Sequence, residues 1–215
     1  VKKFIQTSTS EVYGTAQKIP IDESHPLNAQ SPYAATKIAA DQLALSFYKS
    51  YDLPVTILRP FNTFGPRQSG RAVIPTIITQ ILKKDKITLG SLSPSRDFNF
   101  VEDVMHAFYL ALNNKKIVGE VINIGSGYEI SINKLKQIIS QILKKKIQIK
   151  KANERYRPKK SEVQRLLCNN KKAKNILKWN PKYSGKNGLE KGLKKTIKWF
   201  SEESNLKKYK TDIYN

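Results

Sequence analysis

Tyr33 and Lys37 are the first pair of residues in this 215-residue chain whose types and spacing could do chemistry. On a helix, residues four apart lie on one face about one turn apart, so the Lys37 ammonium can approach the Tyr33 phenol. A nearby cation favours the phenolate, which suits a tyrosine to act as a general base. The spacing alone is weak evidence, because a surface tyrosine beside a solvated lysine has the same pattern.

A second polar segment, Ser8-Thr9-Ser10-Glu11, follows a short apolar stretch that predicts a buried strand. Ligands of parallel α/β sheets bind at the carboxyl ends of the strands. Three hydroxyl groups and a carboxylate at that position could orient a substrate hydroxyl and move protons. The alternative is a polar turn that caps a helix.

Two more segments contain residues that could do chemistry, and the first of them suits a phosphorylated ligand. Residues 59–67 follow the predicted strand at 55–58 and contain Asn62, which can donate and accept hydrogen bonds, and Arg67, whose guanidinium fork suits phosphate. Residues 95–103 contain Arg96 and read as an extended segment that runs into a helix.

The elements that must position these residues alternate between strand and helix. Ser31-Pro32 is a helix start with a capping hydroxyl and a proline in the first turn. Strands are predicted at 3–7, 55–58, 87–89 and 121–124, and helices at 32–51, 73–84, 102–112, 171–177 and 188–201, with one more after Ser131. This alternation predicts an α/β protein with a parallel sheet and an α-rich C-terminal lobe.

Composition excludes several classes of protein. Hydrophobic residues make up 39% and charged residues 26%, a globular balance, and no apolar run approaches the length of a membrane span. The first residues have no signal-peptide pattern, so we expect a cytoplasmic protein without a membrane partner. One cysteine and two histidines exclude a disulfide framework and make a metal site improbable.

The net charge of +22, from 39 basic and 17 acidic residues, lies mostly in residues 111–215. Such a charge could indicate a protein that binds nucleic acid or an anionic membrane surface. Most of the basic residues are lysines, which lack the bidentate geometry that favours specific recognition of phosphates and bases. We therefore favour a solvated basic surface over nucleic-acid binding.

Taken together, the motifs resemble the extended short-chain dehydrogenase/reductase superfamily of NAD-dependent nucleotide-sugar epimerases and dehydratases. The resemblance runs from about Phe4 to about Tyr183, and the order of the blocks makes it specific. The blocks are Ser-Thr-Ser-Glu-Val-Tyr-Gly at 8–14, Tyr-x-x-x-Lys at 33–37, Arg-Pro-Phe-Asn-Thr-Phe-Gly-Pro-Arg at 59–67, Arg-Asp-Phe-Asn-Phe-Val-Glu-Asp at 96–103 and Asn-Ile-Gly-Ser-Gly at 123–127.

The resemblance implies a partial Rossmann-like parallel sheet with an α-rich substrate-binding lobe. We expect residues 1–70 to be the C-terminal part of the NAD-binding domain and residues 71–204 to be mostly the nucleotide-sugar lobe. Rossmann elements, including about 96–125, interleave with that lobe, and residues 205–215 form a frayed tail. The family's Gly-x-x-Gly-x-x-Gly turn is absent from the sequence. At about 30 residues per βα unit, we expect on the order of 100 residues ahead of Val1 in a full-length homodimeric enzyme.

The resemblance also implies roles for individual residues. Tyr33, assisted by Lys37 and Thr9, takes the proton of the sugar C4 hydroxyl while hydride passes to NAD. Glu11 then removes the C5 proton, water leaves from C6, and hydride returns to C6. Ser10 stands where the glucose-type dehydratases carry an aspartic acid, so the proton donor to the leaving hydroxyl is Glu11 itself or a water. The residues implied at the cofactor are Thr7, Tyr33, Lys37, Pro60 and Asn62, and those implied at the substrate are Asn62, Arg67, Arg96 and Arg157.

Within the family, Glu11 favours a 4,6-dehydratase acting on a UDP- or dTDP-sugar, because simple 4-epimerases lack this carboxylate. The blocks at 28–33 and 157–163 are most similar to UDP-N-acetylglucosamine 4,6-dehydratases. UDP-glucuronate decarboxylase and nucleotide-sugar 4-epimerase remain alternatives. We also expect His25 to face solvent, and Tyr13 either to line the sugar pocket or to anchor its loop.

Overall fold

Strands and helices alternate along the protein, as a computed structural model shows. The structure describes residues 1–84, 86–151, 158 and 160–209. The elements are β1 (Phe4–Thr7), α1 (Pro32–Tyr51), β2 (Val55–Pro60), β3 (Thr63–Phe64), α2 (Val73–Lys83), β4 (Lys86–Leu89), β5 (Ser95–Asp97), β6 (Asn99–Phe100), α3 (Val101–Asn113), β7 (Val121–Ile124), β8 (Glu129–Ser131), α4 (Ile132–Leu143), β9 (Gln148–Lys151), α5 (Lys171–Leu177), α6 (Gly185–Ser201) and α7 (Glu203–Leu206). The predicted α/β class is confirmed.

A three-stranded parallel sheet in the order β1-β2-β7 positions the segments singled out above. The middle strand, β2, is buried over residues 55–59, as its run of β-branched and aliphatic side chains predicts. Because all three strands are parallel, they end at the same edge of the sheet, β1 at Thr7, β2 at Pro60 and β7 at Ile124. This edge is where parallel α/β sheets bind ligands.

Helix α1 has the start and the end that its sequence predicts. The Ser31 hydroxyl accepts a hydrogen bond from the Ala34 amide at 3.1 Å, and Pro32 occupies the first helical position, where its missing N–H costs nothing. The helix ends at Asp52, which adopts the left-handed conformation with φ of 53°. The N-terminal cap starts the helix at Pro32, so Tyr33 and Lys37 lie in its first two turns.

Helices α3 and α5 pack against the three-stranded sheet, whereas the other strands, with α2, α4 and α6, surround a second apolar core that is called the lobe below. β4 pairs with β9 in parallel, β3 pairs with β6 in parallel, and β5 pairs with β8 antiparallel. Helices α2, α4 and α6 pack their aliphatic faces together with the rings of Phe64 and Phe100. A Cβ at Gly192 would lie 2.9 Å from the Phe64 ring and 3.0 Å from the Phe100 ring, so α6 approaches these rings at a point that only glycine allows. The boundaries predicted at residues 70 and 204 stay a prediction.

The expectation that His25 faces solvent is wrong. The residue is 2% exposed, its Nε2 accepts a hydrogen bond from the Gln17 amide at 3.0 Å, and its ring packs edge-on against Tyr13. The loop position suggested exposure, but these contacts bring His25 into the small core that contains Val12 and Ile21.

The expectation of a frayed tail from residue 205 is wrong for the part that the structure describes. Asn205 is buried and donates a hydrogen bond from its side-chain amide to the Trp199 carbonyl at 3.1 Å. The Tyr209 ring packs 4.9 Å from the Phe200 ring, centroid to centroid. Residues 210–215 lie outside the described residues. Among the helices that the structure describes, none is both long and apolar enough to cross a membrane.

Candidate active site

The polar turn after β1 is a single 3₁₀ turn, Ser10–Tyr13, that begins directly beyond the edge of the sheet. The Thr9 hydroxyl accepts a hydrogen bond from the Glu11 amide at 3.2 Å, so Thr9 caps this turn. Ser10 is buried, whereas Glu11 is half-buried and Thr7 is exposed. Thr9 therefore has the structural capping role that the sequence allowed as an alternative, and its hydroxyl hydrogen remains available as a donor.

Tyr33 and Lys37 lie in the first turns of α1, next to the end of β1. The Lys37 Nζ lies 5.9 Å from the centroid of the Tyr33 ring and donates a hydrogen bond to the Thr7 carbonyl oxygen at 3.1 Å. Tyr33 is 50% exposed, so its phenol is accessible to a ligand. The ammonium therefore lies near the Tyr33 ring, where the Thr7 carbonyl oxygen accepts its hydrogen bond, and the catalytic roles of the two residues stay a prediction.

Asn62 follows the end of β2 and carries an unpartnered acceptor. Its Oδ1 is buried and has no hydrogen-bond partner within the described part of the chain. Buried polar atoms are almost always satisfied, so an unpaired amide oxygen at the edge of a parallel sheet is suited to a ligand that brings a donor. Pro60 ends β2 two residues earlier, at the position that the resemblance assigns to the cofactor.

A cavity of about 360 Å³, within the usual range for small-molecule sites, is lined by Glu11 and Asn62, whereas Tyr33 and Lys37 are not among its lining residues. It contains both carboxylates and guanidinium groups, which suits a ligand with hydroxyl and phosphate groups. Its lining residues are Glu11, Asn62, Thr63, Gln68, Arg71, Ala72, Val73, Ile74, Thr76, Leu89, Gly90, Ser91, Pro94, Arg96, Phe98, Ile132 and Glu162. The cavity therefore joins the turn after β1, the loop after β2 and the lobe.

The arginines predicted for the substrate differ in position. Arg96 lines the cavity and forms an ion pair with Glu162, with 3.3 Å between Nη2 and Oε1. Arg67 is exposed, has a φ of 65° and is not among the lining residues, so its role stays a prediction. Arg157 lies outside the described residues. Arg71, which sequence reasoning missed, lines the cavity instead, and its only sequence signal is its place just before α2.

A buried polar network, also missed, lies beneath these residues. Asp41 of α1 and Arg59 of β2 form an ion pair with 3.1 Å between Oδ2 and Nη2, and both side chains are almost completely buried. Arg59 also donates a hydrogen bond from Nη1 to the Tyr13 hydroxyl at 2.9 Å. Burial raises the pKa of Tyr13 to about 12, so its phenol stays neutral and donates to the Asn123 Oδ1 at 2.7 Å. Tyr13 thus anchors its turn and does not line the cavity.

A second buried carboxylate, Asp97, holds the turn at 125–127. It accepts hydrogen bonds from the amides of Ser126 and Gly127, both at 2.9 Å, and from the Cys168 amide at 3.2 Å. Burial raises the pKa of Asp97 to about 6 despite these donors. Asp97 therefore stabilises the loop at the end of β7 and has no direct part in the cavity.

The fold and the site define an α/β chain of the short-chain dehydrogenase/reductase type, with a Tyr-x-x-x-Lys pair at the carboxyl edge of a parallel sheet. A family model described as GDP-mannose 4,6 dehydratase matches residues 1–192. The chain belongs to this family of epimerases and dehydratases.

Three proteins illustrate the similarity. The chain is 34% identical to human dTDP-D-glucose 4,6-dehydratase over 215 residues, covering 94% of this chain and 57% of the relative. The structure of dTDP-glucose 4,6-dehydratase from Bacillus anthracis in complex with NAD has a TM-score of 0.84 and 34% identity, with 94% of this chain and 62% of that chain covered. The structure of UDP-glucuronic acid 4-epimerase from Bacillus cereus, in complex with UDP-glucuronic acid and NAD, has a TM-score of 0.85 and 30% identity. The match covers 93% of this chain and 62% of that chain. The chain thus spans about three fifths of the length of these proteins.

Proposed function

We propose that this chain provides the catalytic and substrate-binding part of an NAD-dependent nucleotide-sugar 4,6-dehydratase. The observation that carries the proposal is the place of Glu11, which lines the cavity together with Asn62 and Arg96. Its 3₁₀ turn packs against α1, the helix that bears Tyr33 and Lys37. Elimination of water requires a base for the C5 proton, in addition to a tyrosine that takes the proton of the C4 hydroxyl while NAD would accept the hydride.

Tyr33 is the proposed acceptor of the C4 hydroxyl proton. Its phenol is accessible, and the Lys37 ammonium beside the ring favours the negative charge that forms there. Lys37 is not free to move away, because the Thr7 carbonyl oxygen accepts one of its hydrogens. The pair is therefore preorganised to take a proton from a bound sugar.

Glu11 is the proposed base for the C5 proton. Its backbone is fixed by the Thr9 cap, while its carboxylate lines the cavity. Buried Ser10 cannot protonate a leaving hydroxyl as readily as a carboxylic acid does. The protonated Glu11 or a water then donates the proton that leaves with the C6 hydroxyl.

The residues present fit the nicotinamide end of NAD. The unpartnered Oδ1 of Asn62 can accept a hydrogen bond from a ligand, and Thr7, Lys37 and Pro60 lie at the same edge of the sheet. When bound, NAD supplies a hydride acceptor for the sugar C4 and a hydride donor for C6. The Gly-x-x-Gly-x-x-Gly turn that binds the pyrophosphate in this family is not part of the 215 residues.

The diphosphate of the substrate is proposed to bind between Asn62, Arg96 and Arg71, which all line the cavity. The Arg96 guanidinium is positioned by its ion pair with Glu162, and a guanidinium is a group suited to bind phosphate. Among nucleotide sugars we favour UDP-N-acetylglucosamine, on the resemblance of the blocks at 28–33 and 157–163. A homodimer of the full-length enzyme is part of the same proposal.

A 4-epimerase is the second candidate, and Ser10 is the observation that favours it. Epimerisation at C4 needs only Tyr33, Lys37 and the cofactor, whereas dehydration also needs an acid for the leaving hydroxyl. The buried serine at position 10 supplies none. Glu11 favours the dehydratase, because an epimerisation at C4 would not use this carboxylate in the cavity.

Product analysis separates these reactions. The protein in its natural full-length form is incubated with NAD and, separately, with UDP-N-acetylglucosamine, dTDP-glucose or UDP-glucuronate, and the products are identified by mass spectrometry and NMR. A 4-keto-6-deoxy sugar nucleotide, lighter than the substrate by one water, is the expected product. An unchanged mass with inverted C4 configuration would replace the proposal with an epimerase. Release of CO₂ and a UDP-pentose from UDP-glucuronate would replace it with a decarboxylase.

A further inference from the structure

Asp41 lies on the face of α1 that carries Tyr33 and Lys37, because the three residues follow one another at intervals of four. Its side chain is completely buried, and Oδ2 forms its hydrogen bonds and ion pair, while Oδ1 has no hydrogen-bond partner among the described residues. The Oδ2 accepts hydrogen bonds from the Ser8 hydroxyl at 2.7 Å and from the Arg59 Nε at 3.1 Å. Ser8 directly follows β1 and precedes the 3₁₀ turn, so Asp41 connects α1 to the segment that leads into this turn.

Arg59 carries the connection from Asp41 to the other side of that turn. Its Nη1 donates to the Tyr13 hydroxyl at 2.9 Å, and the guanidinium carbon lies 5.1 Å from the centroid of the Tyr13 ring. Tyr13 belongs to the same 3₁₀ turn as Glu11. One guanidinium therefore contacts both the helix that carries Tyr33 and the turn that carries Glu11.

The geometry of the guanidinium makes this connection rigid. Arg59 presents its donors in a fixed planar fork, so the Asp41 and Tyr13 oxygens can move relative to each other only if hydrogen bonds break. Breaking a buried ion pair leaves an uncompensated charge, which is strongly unfavourable. Neither Asp41 nor Arg59 lines the cavity, so any effect on a bound substrate passes through the residues that they hold.

We propose that Asp41 is a positioning residue that, through Arg59 and Ser8, sets the distance between the Tyr33–Lys37 face of α1 and the turn that bears Thr9 and Glu11. The proposal rests on the proposed function, because it assigns Asp41 to the alignment of two proton-transfer groups. Removing the carboxylate lowers the rate of the chemical steps and leaves binding of the nucleotide unchanged, since the cavity residues of the lobe keep their positions.

The test compares Asp41→Asn with Asp103→Asn in the natural full-length protein. Asp103 is a matched control: it is a buried aspartate on a helix, and its carboxylate accepts hydrogen bonds from the Lys182 and Tyr183 amides at 2.9 and 2.8 Å, away from α1. Two measurements are made on each variant. Steady-state kinetics, corrected for the folded fraction, give kcat and KM for the sugar nucleotide, and hydrogen exchange gives the protection of residues 8–14 and 31–41.

For Asp41→Asn we expect kcat to fall at least tenfold with KM within twofold, and amides of 8–14 and 31–41 to exchange at least tenfold faster. For Asp103→Asn we expect faster exchange around residues 182–183 and a corrected kcat near that of the wild type. Equal losses of corrected kcat in both variants, or unchanged exchange at 8–14 and 31–41 in Asp41→Asn, would overturn the proposal. If the wild type shows no dehydratase activity, the proposed function fails, while hydrogen exchange still decides whether Asp41 connects helix and turn.

Discussion

The Lys37 ammonium donates a hydrogen bond to the Thr7 carbonyl oxygen at 3.1 Å and thereby joins the first turns of α1 to the last residue of β1. The same Nζ lies 5.9 Å from the centroid of the Tyr33 ring. The lysine has one fixed acceptor on the protein and a charge that faces the tyrosine. Its position follows from the parallel sheet, which ends β1 beside the start of α1.

Lys37→Met is expected to lower kcat by about 10²–10⁴-fold, the usual contribution of general acid–base catalysis, because the charge that favours the phenolate is lost. Steady-state kinetics on the full-length protein measure the effect. Lys49→Met is the matched control, since Lys49 lies on the same helix in its last turn. A kcat within threefold of the wild type in Lys37→Met would exclude this lysine from proton transfer.

Glu11→Gln is expected to retain oxidation at C4 but to reduce product formation by about 10²-fold or more, because the amide cannot take the C5 proton. Exchange of the C5 hydrogen with solvent deuterium, followed by NMR, measures the step directly. Glu162→Gln, at a second carboxylate of the cavity, should raise KM through Arg96 and leave C5 exchange intact. Wild-type rates of product formation in Glu11→Gln would remove Glu11 from the mechanism.

Residues 1–215 alone are expected to bind NAD only weakly, because they contain no glycine-rich turn for the pyrophosphate. Isothermal titration calorimetry with NAD measures this, with UDP titrated in parallel as a ligand for the cavity that contains Arg71 and Arg96. Binding of NAD with a micromolar Kd would contradict the expectation and would require another pyrophosphate site.

Local signals predicted most of the fold and the catalytic pair. The Ser31-Pro32 start and the Tyr33–Lys37 spacing involve residues close together in the sequence. The structure confirms the helix and places the Lys37 Nζ 5.9 Å from the centroid of the Tyr33 ring. The Asp41–Arg59 pair could not be predicted in the same way. Its partners are 18 residues apart on different elements, and a buried ion pair leaves no periodic pattern in the sequence.

The residues of the cavity also differ in whether neighbouring sequence positions or tertiary packing determine their place. Glu11, Asn62 and Arg96 were predicted because each belongs to a recognisable block after a strand or before a helix. Arg71 was missed because its place in the cavity depends on the packing of the lobe. Burial of His25 was missed for a similar reason, since its partners Gln17 and Tyr13 reach it only when the loop folds back.

Because of Asp97, the free energy of unfolding is expected to decrease as the pH rises from about 4 to about 6. Burial raises its pKa from 3.8 to about 6, so the folded state holds the proton more tightly than the unfolded chain does. Stability from this group is present in full below the unfolded pKa and is lost as pH rises through the folded pKa. The shift corresponds to roughly 3 kcal/mol at about 1.4 kcal/mol per pKa unit.

Urea unfolding of the wild type and Asp97→Asn between pH 4 and pH 7 measures this contribution. The free-energy difference between the two proteins should change by up to about 3 kcal/mol over the interval and stay constant above it. Asp52→Asn is the control, since asparagine tolerates the left-handed conformation that Asp52 adopts. A difference between wild type and Asp97→Asn that is independent of pH would contradict the raised pKa.

Tyr209→Phe is expected to raise KM for the nucleotide sugar about fivefold and to leave kcat unchanged. The Tyr209 hydroxyl donates to the Gln68 carbonyl oxygen at 3.0 Å, and its ring lies 3.3 Å from where a Cβ of Gly70 would be. Gln68 and Arg71, on this same loop, line the cavity, so the C-terminal segment holds one wall of the proposed substrate site. Loss of one hydrogen bond costs about 1 kcal/mol, which corresponds to the expected factor if the loop must be ordered for binding.

The measurement is steady-state kinetics of Tyr209→Phe, Tyr209→Ala and the control Tyr51→Phe, whose exposed ring lies on α1. Tyr209→Ala also loses the packing against Phe200, so we expect KM to rise further, by tenfold or more, with kcat still near the wild type. Tyr51→Phe should leave both constants unchanged. An unchanged KM in both Tyr209 variants would show that Tyr209 does not stabilise the wall of the cavity. A parallel loss of kcat would instead place the effect of Tyr209 on the chemical steps, because the loop would then act on Glu11 and not only on the bound nucleotide.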